Sequence, residues 1–466
     1  MIRQGTFPRR AAARRPGLSL PDGLGMTLVI SVLFLIVLWV AGGASRPDVM
    51  GQPVVRGAAW MALCLAALFA PRPALVGHRS IALFLGLALA LALVQLVPLP
   101  PSTWQMLPGR ALLTDAAAIA GGGQPWRPLS MVPDATTNAA ASLVVPIAML
   151  VLLASMQEAE RRWLPVVLLG LIVASTLLGL LQFSGSRFNN PLINDTVGQI
   201  SASFANRNHL ALFLAIGCVL APAWAVHGAR GVQWRLMAAL GMTLLFVLMI
   251  LATGSRAGLL LCSLALAAAS VLVWKDVRRE LRRYPRWVLP ALGASVAGVI
   301  TVSVLVAVAA NRAMSINRIL VGGEVQDMRG RALPTVVEMV RTYFPAGSGL
   351  GGFDPIFRIH EPQNLLKLTY FNHAHNDLLE VALDTGLPGL LLLFAAIAWW
   401  GIATFHAWRG GSAALLPRLG SVILGLILVA SLFDYPVRTP MIMAVLVIAA
   451  WWLNDPAPRG GATLRN

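Results

Sequence analysis

Charged side chains are scarce in this chain. They make up 12% of its 466 residues, where a soluble globular domain carries roughly a quarter. With 57% of positions apolar, an ordinary water-soluble protein is excluded. Cysteine is also sparse. Cys64, Cys218 and Cys262 each sit inside an apolar run with no Cys or His at metal-ligand spacing, so a disulfide framework and a zinc finger are both ruled out and the three read as small hydrophobes. There is no internal repeat, heptad or low-complexity tract. No Asp-x-Asp pair is present to hold a divalent metal. Acidic residues are outnumbered, 19 against 36 Lys and Arg for a net charge of +17, yet the basic residues fall in short clusters between apolar runs. Membrane orientation explains that pattern better than nucleic-acid binding.

What is there in quantity is apolar sequence in lengths of about 20 residues, enough to cross a bilayer. The first run, Leu24 to Ala44, follows Arg3, Arg9, Arg10, Arg14 and Arg15, and it is too long for the apolar core of a signal peptide. Further spans are expected near 54–70, 80–98, 138–156, 163–183, 207–226, 235–253, 257–274, 287–310, 389–406, 417–433 and 439–454. The expectation is an all-α polytopic protein of about 12 transmembrane helices. A basic cytoplasmic segment (1–23) precedes a single membrane domain (24–454), and a cytoplasmic tail (455–466) follows it. With both termini cytoplasmic, the short basic connections lie inside, including Arg161 and Arg162 and the run from Lys275 to Arg286. The long loops, 99–137, 184–206 and 311–388, then lie outside.

Polar residues that are costly at membrane depth converge on that outer face. They include Arg187 and Arg207, Arg256, Arg312, Arg318, Arg329, Arg331, Arg341, Arg358, His373, His375, Asp434 and Arg438. Arg256 occupies the tight turn ATGSRAGLL, where it reads either as an interfacial arginine reaching for water or as a guanidinium aimed at a phosphate. Asn376 to Asp384 reads as a short amphipathic helix (376–385) at the outer interface, ended by Gly386, with the span beginning only at Pro388. His375 then precedes a helix N-terminus that disfavours its charged form, which leaves it available as a base; a structural histidine is the alternative. Asp434, Asp377 and Glu380 are each able to orient it. A zinc site from His360, His373 and His375 would lack a further defined ligand. Asp434 either ends a span or pairs with an arginine, and Trp104 and Trp126 read as interfacial anchors.

Four segments together carry a resemblance: HNDLLEVALDTGLPG, Arg256 with Leu260 four positions on, SFANRNHLALFL and GSGLGGF. In these the chain resembles the O-antigen ligase and O-antigen polymerase family of bacterial inner-membrane proteins. The resemblance covers about 184–450. It implies a membrane-embedded glycosyltransferase working on the periplasmic face of the inner membrane. The donor would be a glycan on undecaprenyl diphosphate, transferred with inversion and without metal or other cofactor. The acceptor would be lipid A-core for a ligase or a second lipid-linked glycan for a polymerase. Residue by residue it implies His375 and Arg256 as essential, with Arg329 or Arg331 as the loop arginine. Arg207, Arg256 and that loop arginine would meet the diphosphate, and Asn376, His373 and Asp434 would support the site. A transporter of lipid-linked sugars is the alternative from a different class, and it would need a site reachable from both sides.

Overall fold

The structure, a computed structural model, describes residues 25–186, 189–194, 199–226, 232–281, 328–366, 371–409 and 415–455, with the isolated positions 285, 287, 294 and 298. It is helical almost throughout, as an apolar chain in lipid must be to satisfy its backbone groups internally. In chain order, α1 is Met26–Ala41, α2 Gly51–Phe69, α3 Arg79–Val94, α4 Pro101–Trp104, α5 Ala111–Ile119, α6 Pro133–Ser142, α7 Val144–Ser155, α8 Glu158–Arg161 and α9 Leu164–Phe183. Then follow α10 Arg207–Val226, α11 Val232–Thr253, α12 Arg256–Leu281, α13 Met328–Tyr343, α14 Phe353–His360, α15 Asp377–Arg409, α16 Leu415–Ser431 and α17 Pro440–Leu453. Among the described residues the strands are a single two-residue antiparallel pair, β1 (Pro98–Leu99) with β2 (Arg127–Pro128).

Seven helical segments are long and apolar enough to cross a membrane: 51–69, 133–155, 158–183, 207–226, 234–253, 256–279 and 377–409. Four more apolar helices, α1, α3, α16 and α17, have 10–17 residues and fall short of that length. The expected count of 12 is therefore not confirmed: seven full-length candidates stand among the described residues. The span expected at 287–310 lies almost wholly outside them, as do Arg187, Arg312 and Arg318.

One helix organises the rest. In α10, 83% of the span is buried, against 28–50% in the other six, so it has been withdrawn from lipid into the middle of the bundle. It packs on α9, α11, α12 and α16, and its small residues let them approach. At Gly217 a Cβ would come within 2.7 Å of Ile172 and 2.8 Å of Phe246.

The described part of the long segment after α12 forms α13 and α14, which share a second apolar core of Ala332, Val336, Met339, Tyr343, Phe353, Ile356, Phe357 and Leu365 with Leu383 of α15. The loop after α3 joins this cap through Arg110, which is buried and donates to the carbonyls of Pro108 (3.0 Å), Leu129 (2.7 Å) and Gly347 (2.9 Å). Trp104 is 1% exposed and donates to the Pro125 carbonyl, so it is an internal residue of this loop and not an interfacial anchor.

The break expected near Gly386 is present. The helix runs from Asp377 to Arg409 with non-helical angles at Gly386 (φ 58°, ψ −144°), and Pro388 restarts it. The segment before the break differs from an interfacial amphipathic helix. Glu380 and Asp384 are fully buried, so its acidic side faces the protein and not water. The reason is a half-buried cation, Arg438, that those carboxylates face.

Candidate functional site

Three helices begin at one place, and each carries its own cap. Asn206 caps α10, its side-chain oxygen accepting from the Asn208 amide at 2.9 Å. Ser255 caps α12, with Oγ accepting from the Gly258 amide at 2.8 Å. Asn376 caps α15, its side-chain oxygen accepting from the Leu379 amide at 3.0 Å. A side-chain acceptor at this position satisfies one of the free N–H groups that open a helix. Here the caps also point at one another.

Their meeting point is Asp434, in the connection between α16 and α17. Its Oδ2 accepts from Asn206 at 2.9 Å and from Asn208 at 2.5 Å. Asn208 in turn accepts from Ser255 Oγ at 2.7 Å. Asn376 donates to the Leu432 carbonyl two residues before Asp434, at 3.1 Å. On its other side Asp434 Oδ1 lies 3.0 Å from His375 Nδ1 and accepts from the Tyr435 amide at 3.1 Å. Arg329 stands alongside, 3.5 Å from Asp434 Oδ2 and donating to the Phe433 carbonyl at 2.8 Å.

The electrostatics assign the protons. Burial disfavours a charge on Asp434, yet the His375 hydrogen bond and the nearby Arg329 hold its carboxyl well below the usual range. A carboxylate only accepts, so His375 Nδ1 carries the proton it donates and Nε2 is the basic nitrogen. Burial pushes His375 below its ordinary value, and Asp434 opposes that without reversing it. The imidazole is therefore neutral at pH 7 and oriented by a carboxylate. Phe371 and Tyr435 pack against it, each with its ring centroid 5.0 Å away.

A second cluster adjoins the first. His373 Nδ1 lies 2.7 Å from Glu380 Oε1, and the Ala374 amide donates to Glu380 Oε2 at 2.8 Å. Arg438 reaches Glu380 at 3.2 Å, Asp377 at 3.5 Å and Asp384 at 3.7 Å.

Of the residues singled out from the sequence, His375, Asp434 and Arg329 are in direct contact, and His373 and Asn376 lie beside them. Arg207 is flanked by the two asparagines that bond Asp434, and Arg256 directly follows Ser255 with its side chain exposed. Arg331 is elsewhere, donating to the Asn364 carbonyl at 2.9 Å. His360 bonds the Tyr343 hydroxyl at 3.0 Å, so the three histidines considered for zinc each have a different partner. Orientation of His375 falls to Asp434, while Glu380 takes His373. The sequence reading gave Asn206, Asn208 and Ser255 no role, although cap residues before apolar runs are a readable signal.

These features define a class, an all-α polytopic membrane protein with a half-buried imidazole on a buried carboxylate where three helix N-termini meet. Residues 241–394 match the family model described as O-antigen ligase, which bears out the resemblance to the O-antigen ligase and polymerase family. The matched segment holds Arg256, Arg329, His373, His375 and Glu380; Arg207, Asp434 and Arg438 lie outside it. Among curated proteins no relative matches the chain.

Proposed function

We propose that the protein is a membrane glycosyltransferase that moves a glycan from undecaprenyl diphosphate to a hydroxyl of lipid A-core, on the periplasmic face of the inner membrane. The observation that carries this reading is the convergence of three capped helix N-termini on the His375–Asp434 pair, with an arginine as first residue of two of those helices. Free N–H groups and the helix dipole favour an anion at such ends, and guanidinium forks bind phosphate oxygens bidentately. A diphosphate is the leaving group for which this charge is suited.

The reaction then divides between two sets of residues. His375 Nε2 takes the proton of the acceptor hydroxyl as its oxygen bonds to the anomeric carbon. Asp434 stabilises the imidazolium that forms. The bond from the anomeric carbon to the diphosphate oxygen breaks on the opposite face, inverting the centre, and its electron pair leaves with the lipid diphosphate. Arg256, Arg207 and Arg329 neutralise that developing charge, the role that a divalent metal fills in other transferases.

The test is transfer by the purified protein from one undecaprenyl-diphosphate-linked glycan, with lipid A-core and a second lipid-linked repeat unit offered separately. Product on lipid A-core is the expected result. A ladder of longer lipid-linked chains would make the protein a polymerase with the same chemistry. No product with either acceptor would overturn the transferase reading and favour transport.

A further inference from the structure

We propose that Glu380 and Arg438 are positioning residues for His375: together they clamp the turn that carries the base, without touching reacting atoms. The inference rests on the transfer reaction proposed above. Its starting point is the backbone of His375, which has φ 53°, in the left-handed region that a residue other than glycine seldom adopts. Such a conformation persists where surrounding contacts determine it.

Glu380 supplies those contacts on one side. Both of its oxygens are committed to the two residues before His375, Oε1 to His373 Nδ1 at 2.7 Å and Oε2 to the Ala374 amide at 2.8 Å. It does so from the first turns of α15, the helix that the turn leads into, and it is 0% exposed. A buried carboxylate is costly unless paired, and the pair is Arg438 at 3.2 Å. Arg438 sits four residues after Asp434, on the single-turn helix Pro436–Arg438. One short connection therefore delivers Asp434 to the imidazole of His375 and Arg438 to the carboxylate that fixes its backbone. Tyr435, between them, packs on both rings, 4.2 Å from His373 and 5.0 Å from His375.

Asp377, Glu380 and Asp384, spaced three and four residues apart, form one stripe of α15, and Arg438 meets all three. Asp384 carries the clamp further, since its Oδ2 accepts from the Gly351 amide at 3.1 Å and its carbonyl from the Gly349 amide at 2.9 Å. The glycine loop of the outer cap is thus tied to the same helix face as the base. Glu380→Gln is the discriminating substitution. It keeps the shape but offers one acceptor oxygen where two donors need one each, and it strips Arg438 of its nearest partner.

The experiment measures kcat and donor KM for the full-length wild type, Glu380→Gln, Arg438→Gln, Arg438→Lys and His375→Ala in lipid nanodiscs, normalised to monodisperse protein. Glu380→Gln and Arg438→Gln are expected to lose at least tenfold in kcat with KM within twofold, and Arg438→Lys to recover part of that loss. Normal kcat in both glutamine variants while His375→Ala is inactive would overturn the clamp and leave the base standing. Activity in His375→Ala would instead remove the base reading itself. If Glu380→Gln does not fold, the Arg438 pair decides. Failure of every clamp variant to fold would also overturn the proposal, because the cluster would then hold the fold and not the base.

Discussion

Ser255 Oγ donates to Asn208 Oδ1 at 2.7 Å, and Asn208 donates in turn to the carboxylate that orients His375. The turn bearing Arg256 and the imidazole of His375 thus belong to one hydrogen-bonded chain, although Arg256 opens α12 and His375 lies in the turn before α15. The geometry requires that the cap of α12 and the position of the imidazole shift together. Asn208→Ala cuts the chain at its centre, leaving Ser255 without its acceptor and Asp434 without one of its donors. Each lost bond to a charged group is worth about 1.5–3 kcal/mol, which corresponds to roughly 10–100-fold in rate if it acts on the transition state. Ser255→Ala removes only the outer link and should cost less. Transfer rates for the two single variants and the double variant check this, and additive effects would mean that the two ends are not coupled.

The acid side of the pH profile has a definite sign. The proposed transfer needs His375 neutral, and burial sets its pKa below the ordinary 6.5. The rate should therefore be on its plateau at pH 7 and fall as the pH drops through a value under 6.5. Asp434 is the group that pulls that value back up, so Asp434→Asn should move the acid limb to still lower pH. The plateau itself should fall by roughly 10²–10⁴, since the amide no longer holds Nδ1 as the protonated nitrogen. An acid limb above pH 6.5 in the wild type would contradict a neutral, buried base.

Arg329 and Arg331 are two residues apart and differ in what they touch. Arg329 reaches Asp434 and the Phe433 carbonyl, whereas Arg331 bonds the Asn364 carbonyl. Arg329→Ala should reduce transfer at least tenfold, and Arg331→Ala by no more than a few-fold. The comparison uses the same donor at saturating and at limiting concentration. A larger loss in Arg331→Ala would reverse the choice between them.

The sequence made the helical membrane architecture legible because about 20 consecutive apolar residues have few other uses. Cap chemistry is local, so the helix starts at Asn206 and Ser255 were also readable although neither residue was given a role, while Asn376 was placed at one. What the sequence did not carry was their convergence. Asn208 and Asp434 are 226 positions apart and nothing in either segment refers to the other. Glu380 and Asp384 misled for a related reason. Their spacing among leucines is that of a helix with one wet face, and only the ion pairs to Arg438 turn that face inward. Trp104 failed as an anchor because loop residues 100–126 fold back on themselves and enclose it.

Gly386 is the joint between the half of α15 that carries the site and the half that crosses the membrane. Its angles, φ 58° and ψ −144°, lie where residues with a Cβ are strained, and a Cβ there would sit 2.0 Å from the Pro345 carbonyl oxygen. That contact cannot be relieved by a side-chain rotation, because the backbone fixes the Cβ and its neighbour is a backbone oxygen. The Leu387 amide bonds the same Pro345 carbonyl at 2.9 Å, so the loop and the kink hold each other. Gly386→Ala should therefore displace the 345–352 loop or straighten the helix, at a cost of about 3 kcal/mol or more. Straightening would carry Asp377 to Asp384 away from Arg438 and take His375 with them. The measurements are the thermal unfolding midpoint in detergent and the transfer rate of the protein that remains folded. Both should fall, and a wild-type midpoint with a wild-type rate would show that the break at Gly386 is not needed to present the base.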